Sequence, residues 1–221
     1  MPLREKKVQV KVVVDDWVLR IWARRDVFEE ARVAALRFAE EVVAYATRDH
    51  EFKRAKHPIP VPADAPPIIR EMARLSALAG VGPAFTFRGA LLDYVGLTLA
   101  RDLKEVTASC GGDHFVLGRR RSRLPLPGRR DLALVLPPGS GPTGIHTSDS
   151  PGWEKGGDIV AVVAESCILA DAGAAAATAI LARPRSLQAG LAFLNQLPGI
   201  QGALVVHGDQ VGLAGSLELV A

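Results

Sequence analysis

Residues 156–182 read GGDIVAVVAESCILADAGAAAATAILA. Asp158 to Ala164 is a short, valine-rich apolar run, the pattern of a strand buried on both faces. Ser166 stands where a helix N-cap is needed. The alanine-rich segment after it predicts helix up to Pro184, whose ring clashes with a preceding helical turn. A helix so poor in bulk packs close to its neighbours. Asp171 is the exception, one carboxylate in an otherwise apolar helix. Burying it unpaired is costly, so it requires a partner, a cation or an exposed position. Glu165 and Asp171, with the strand-to-helix change, argue against reading Ile159 to Ala182 as a membrane span.

The chain around this stretch has 221 residues, of which 48% are hydrophobic and 23% charged. That composition supports a sizeable core and excludes a disordered chain. The length favours one large domain over residues 1–221. A formal net charge of +3 gives no argument for nucleic acid. Cys110 and Cys167 lie far apart, with neither zinc-ligand spacing nor a disulfide framework, and read as buried thiols. The opening MPLREKKVQVKVVVDDW has no signal-type apolar stretch, so the expected location is cytoplasmic.

From the N-terminus, residues 7–14 and 17–23 predict two strands joined at Asp15-Asp16. Asp26, with Glu29 in capping-box spacing, opens a long helix. Phe28, Ala31, Ala35, Phe38 and Val42 form its apolar face, and Glu29, Glu30, Glu40 and Glu41 its wet side. The polar, proline-bearing segment from Arg48 to Pro67 reads as a connector. Helices follow at about Ile68–Ala79 and Ala84–Arg101. Strands are predicted at Val106–Cys110, Phe115–Leu117 and Leu132–Leu136. Beyond the central strand and helix, Ser186 opens a last helix ending at Pro198-Gly199. Ala203–His207 and Val211–Val220 then read as a closing hairpin across Gly208-Asp209. This order is α+β with mainly antiparallel pairing, not an alternating doubly wound sheet.

Two stretches carry candidate chemistry. Gly111-Gly112-Asp113 lies between predicted strands: the glycines permit positive φ or close approach to a ligand, and the carboxylate can orient one. An ordinary turn with a solvated Asp113 fits the same residues. Gly144 to Ser150, GIHTSDS, reads as a loop whose amides, His146, Thr147 and Ser148 can hold a phosphate, or equally as a polar surface loop. A Ser–His–Asp triad drawn from residues this close rarely reaches triad geometry. Arg119–Arg123 with Arg129-Arg130 lacks interleaved aromatics and reads as a solvated hairpin tip. His50, His57 and His207 have no partners at ligand spacing.

The blocks APPIIREMARLSALAGVGPAFTFRGALLDYVG, SCGGDHFV, GIHTSD, GGDIVAVVAESCILADAG with ATAI, and IQGALVVHGDQVGLAGSLEL follow one another over nearly the whole chain. In order and rough spacing they resemble an uncharacterised, cytoplasmic protein family related to ApbE, the FAD:protein FMN transferases. The resemblance implies an ApbE-like α+β fold with tunnelling-fold-like halves and a cleft for FAD, FMN or another nucleotide. Arg88-Gly89 and Asp93 stand at the transferases' Lys-Gly and Asp, and Gly111, Gly112 and Asp113 at their glycine turn. Thr147 and Ser148 match the Thr-Ser of their binding loop, and Ala170-Asp171 the segment bearing their magnesium ligand.

Two departures bear on activity. The transferases carry a hydroxyl four residues after the magnesium Asp, where this chain has Ala175. The next hydroxyl, Thr178, is about 10 Å along a regular helix from Asp171, too far to share one ion. SPGWEKG stands where the transferases have a His-Ile-Ile-Asp-Pro segment, so no histidine serves as base there. Mg²⁺ and FMN transfer are accordingly doubtful expectations. Two functions stay open: a flavin- or nucleotide-binding protein with degenerate magnesium and base positions, or a non-catalytic structural or assembly protein that retains the fold. Neither involves nucleic acid or a membrane, and both are compatible with a homo-oligomer.

Overall fold

The computed structural model describes residues 7–118, 120–126, 129–139, 141–147, 159–182, 186–207 and 210–220. Strands β1 (Val8–Val14) and β2 (Trp17–Ala23) form the first hairpin, with Asp15 at φ 49° in its tight turn. Helix α1 (Phe28–Arg48) follows. Its cap lies one step from the capping-box reading: the Asp26 carboxylate accepts the Phe28 amide at 2.8 Å, while Glu29 pairs with Arg32. Ala31, Ala35, Phe38 and Val42 are buried as the periodicity requires, but Phe28, in the first turn, is exposed.

The supposed connector holds a short helix, α2 (His50–Arg54), capped by Asp49. It forms because Phe52 is buried edge-on against Tyr45. Helix α3 (Pro67–Leu78) and a 3₁₀ turn (Pro83–Thr86) lead into α4 (Phe87–Leu99). Then come β3 (Val106–Cys110), β4 (Asp113–Leu117), β5 (Ser122–Leu126), β6 (Arg129–Leu136), β7 (Thr143–Thr147) and β8 (Ile159–Ala164). Helices α5 (Cys167–Leu181) and α6 (Ser186–Gln196) precede β9 (Ile200–His207), β10 (Gln210–Gly215) and β11 (Glu218–Val220).

Three corrections to the sequence reading follow. GIHT is not loop but β7, paired on both sides by β4 and β8. Part of the arginine cluster is not a hairpin tip but β5. Residues 211–220 do not make one hairpin arm: the chain breaks at Gly215, φ 73°, and β11 joins another sheet.

One sheet has eight strands in the order β1-β2-β3-β4-β7-β8-β9-β10, antiparallel throughout. A second has three, β11-β6-β5. β8 shows how the large sheet is covered. Val160, Val162 and Ala164 join the core that contains α4 and α5; Ile159, Ala161 and Val163 pack with Leu126, Leu134 and Leu136 of the small sheet. The two-residue period thus divides one uniformly apolar strand between two cores. Helices lie on one face and the small sheet on the other, an α+β architecture with mostly antiparallel pairing. Among the described residues, no single helix is long and apolar enough to cross a membrane.

Candidate functional site

Register places the first pair of side chains. Asp113 and His146 are direct cross-strand partners between β4 and β7. Their neighbours Phe115 and Ile145 belong to opposite cores, so strand alternation sends both Asp113 and His146 toward the helices. His146 Nδ1 lies 2.7 Å from Asp113 Oδ1.

Close helix packing supplies the rest. A Cβ on Gly144 would lie 2.1 Å from the Cys167 nitrogen, so only glycine lets the start of α5 cross β7 this tightly. That crossing brings Asp171 to the same imidazole, with Oδ1 3.0 Å from His146 Nδ1. Asp171 Oδ2 accepts the backbone N–H of Gly89 at 2.8 Å. Gly89 sits in the first turn of α4, where amides have no intrahelical acceptor. A Cβ there would meet the Cys167 carbonyl oxygen at 2.5 Å and Asp171 Oδ2 at 2.8 Å.

The exchange between α4 and α5 is reciprocal. Asp93, on α4, accepts the amides of Cys167 at 2.9 Å and Ile168 at 3.0 Å, at the N-terminus of α5. Ser166 adds the side-chain cap expected of it, accepting the Leu169 amide at 3.2 Å. Each helix therefore carries a carboxylate, four residues after the contact residue Gly89 or Cys167, that satisfies the other helix's first turn. Asp171 finds its compensation here, in an amide and an imidazole.

Arg88 pairs with Asp113 and not with Asp171, its Nε 2.9 Å from Oδ2. The separation is that of an ion pair, but the N–H is not aimed for a hydrogen bond, and Oδ2 has no aligned donor among the described residues. The guanidinium also lies over the Trp17 ring, 5.7 Å from its centroid. Trp17 was not among the residues singled out from sequence, where it reads only as the start of a strand.

The remaining candidates lie beside this cluster. Gly111 makes the β3–β4 turn at φ 59°. Gly112 offers its carbonyl to both the Thr147 amide, at 2.9 Å, and the Thr147 hydroxyl, at 2.8 Å. Thr147 is buried, its hydroxyl proton spent on holding β7 to that turn. Ser148 and SPGWEKG lie outside the described residues. Arg121 and Arg123 line a separate cavity of about 380 Å³ on the small sheet, where Arg121 pairs with Glu218.

Electrostatics follow from burial and these partners. Burial pushes the Asp171 carboxyl up, and the Asp113 charge adds to it, against the pull of His146; it titrates at about 7. Burial opposes charge on His146, but the bonds to Asp113 and Asp171 outweigh it and raise the imidazole to about 10. Burial raises Asp113 too, yet His146 and Arg88 hold it below the usual carboxylate range. Asp93, capping two amides in a fully buried setting, is driven up to about 6 by desolvation.

The magnesium implied by the ApbE resemblance does not fit these donors. Mg²⁺ takes a near-octahedral shell of oxygens at about 2.1 Å. Here one Asp171 oxygen faces His146 and the other accepts an amide. Thr178 donates its hydroxyl to the Ala174 carbonyl at 2.8 Å. Asp113, His146 and Asp171 do bring donor atoms within 4.8 Å of one another, but as a mixed nitrogen–oxygen set.

Comparison with known proteins agrees with the fold. A "UPF0280 protein" of Methanocella arvoryzae is 31% identical over 192 residues, 81% of this chain and 77% of that protein. A UPF0280 protein of Methanopyrus kandleri is 28% identical over 225 residues, 93% of this chain and 90% of its own. Among solved structures, the flavin transferase ApbE from Vibrio cholerae matches at TM-score 0.63 with 14% identity, over 96% of this chain and 97% of that one. The apo flavinyl transferase ApbE of Pseudomonas stutzeri gives 0.62 and 14%, over 97% and 96%. At such identity the shared feature is the fold. The family model described as "AbpE bacteria" matches residues 2–190, most of the chain, and the protein belongs to that ApbE-related family.

Proposed function

We propose that this protein binds a flavin or a related nucleotide at the cluster formed by Arg88, Asp113, His146 and Asp171. Gly89, Gly111, Gly112 and Thr147 adjoin this cluster, and Ser148, which lies outside the described residues, completes the proposed binding set from the sequence. The observation that carries the reading is the convergence of four ionisable side chains from α4, β4, β7 and α5 in a fold shared with flavin transferases. Buried ionisable clusters of this kind concentrate at functional sites. FMN transfer to a protein is not part of the proposal, because Asp171 is committed to an amide and an imidazole and Ala175 offers no oxygen.

Thermal unfolding with FAD, FMN or ATP tests the reading. A ligand that binds only the native state stabilises it by RT ln(1 + [L]/Kd), about 2.7 kcal/mol at a hundredfold excess over Kd. A rise in Tm with at least one of these compounds is expected, together with flavin absorbance on the purified protein. No shift with any of them overturns the proposal. It would favour the second reading, a structural or assembly protein, to which the reciprocal capping by Asp93 and Asp171 already gives a purely structural use for two of the carboxylates.

A further inference from the structure

We propose that His146 is the site's own cation, standing where a metal ion would otherwise be needed and presenting its Nε2 to a phosphate or pyrophosphate group. The inference deepens the nucleotide reading and rests on the same cluster.

Charge is layered at this site. Asp113 and Asp171 have side chains only 0% and 3% exposed, whereas Arg88 is 22% and His146 14% exposed. The carboxylates form the floor and the two bases the rim. Among the described residues the two cations are thus the more accessible of the four charges, an arrangement that favours an anion.

The imidazole is fixed in a way that leaves one nitrogen for the ligand. Nδ1 lies against two carboxylate oxygens, at 2.7 Å and 3.0 Å, so it carries a hydrogen and donates it. Nε2 has no hydrogen-bond partner among the described residues. Two carboxylates behind the ring favour the imidazolium, in which Nε2 bears a hydrogen as well. A charged N–H donor on a ring held by its other nitrogen suits a phosphate oxygen.

The same contacts work against a metal. To reach Asp113 Oδ1 and Asp171 Oδ1, a divalent ion must remove the Nδ1 hydrogen that joins them. It must also share Asp113 with Arg88 and Asp171 with the Gly89 amide. The cation already in place costs none of these rearrangements.

Calorimetric titration of inorganic pyrophosphate, and separately of FAD, into the protein in the presence of EDTA tests the inference. Pyrophosphate is expected to bind without added metal. His146→Gln should weaken it about tenfold or more, the worth of one charge-assisted hydrogen bond. His146→Lys, which keeps a cation, should recover part of the loss and serves as the control if His146→Gln folds poorly. Binding that disappears in EDTA and returns with Mn²⁺ or Zn²⁺ overturns the inference in favour of a metal. Equal affinity in His146→Gln overturns it too, as does failure of pyrophosphate to bind at all. FAD binding without pyrophosphate binding removes the inference and leaves the flavin reading standing. Pyrophosphate binding without FAD binding does the reverse.

Discussion

His146 is pulled in two directions, since burial disfavours its charge and two carboxylates favour it. The carboxylates win, and its titration near 10 against an unfolded value near 6.5 has a defined sign. Stability gained from the charged imidazole is fully present below about pH 6.5 and is lost as pH rises through the folded value. Between pH 7 and 8.5 the expected slope is about 1.4 kcal/mol per pH unit. Asp171, raised to about 7, is half titrated at the start of that window and adds to the decline up to about pH 8, and Cys110 titrates above the window, near 11. Among the described residues, Asp113 also faces His146, and His114, whose own titration burial moves down, lies close enough to feel its charge. Urea unfolding at pH 7.0, 7.75 and 8.5 should show the decline in the natural protein and a flatter profile in His146→Gln. Parallel profiles would remove the buried imidazolium. Gly89 tests the contact on the other side of Asp171. Gly89→Ala places a Cβ 2.5 Å from a backbone carbonyl oxygen, so about 1–3 kcal/mol of overpacking cost is expected. A thermal melt within error of the natural protein would mean α4 and α5 do not make the close Gly89–Cys167 contact.

Helices α4 and α5 depend on each other through carboxylates that neither helix uses itself. Asp93→Ala leaves the Cys167 and Ile168 amides without an acceptor in a buried setting. The expected cost is about 2–4 kcal/mol, or a Tm fall of roughly 5–10 °C for a chain of this size. A smaller fall than in Ser166→Ala, which removes one cap, would show that Asp93 is not the main support of α5. What the sequence disclosed about these elements follows from how local each signal is. β8 and α5 were readable because an apolar run, a capping serine and a later proline are contiguous. β7 was not. Thr143, Gly144, His146 and Thr147 have the composition of a loop, and they lie in a buried strand only because residues far along the chain receive them. Asp113 accepts His146, Gly112 accepts Thr147, and the start of α5 fills the space above Gly144. Short-range pattern contains none of those partners. α2 was missed for a similar reason, since its one buried anchor, Phe52, is held by Tyr45 of α1.

The eight-stranded sheet, with helices on one face and the small sheet on the other, gathers residues 88, 113, 146 and 171 into one cluster. The family resemblance pointed to Arg88, Asp113 and Asp171 block by block, and His146 came only from reading Gly144–Ser150 as a polar, phosphate-holding loop. Neither disclosed their pairing: Arg88 goes to Asp113, and Asp171 goes to His146 and the Gly89 amide. Such choices arise from helix crossings and strand register, which no single block records. The same pairing argues against flavin transfer. Incubation with FAD, Mg²⁺ and an acceptor protein that ApbE flavinylates should leave no fluorescent acceptor band on a denaturing gel. A band that disappears in Asp171→Ala would reverse that conclusion. The most direct measurement is calorimetric titration of FAD into the natural protein and into Arg88→Ala, with thermal melts of both. A nucleotide site at this cluster predicts measurable FAD binding that weakens about tenfold or more in Arg88→Ala, while Tm changes by only a few degrees. Undetectable FAD binding by the natural protein, or undiminished binding by Arg88→Ala, would contradict it.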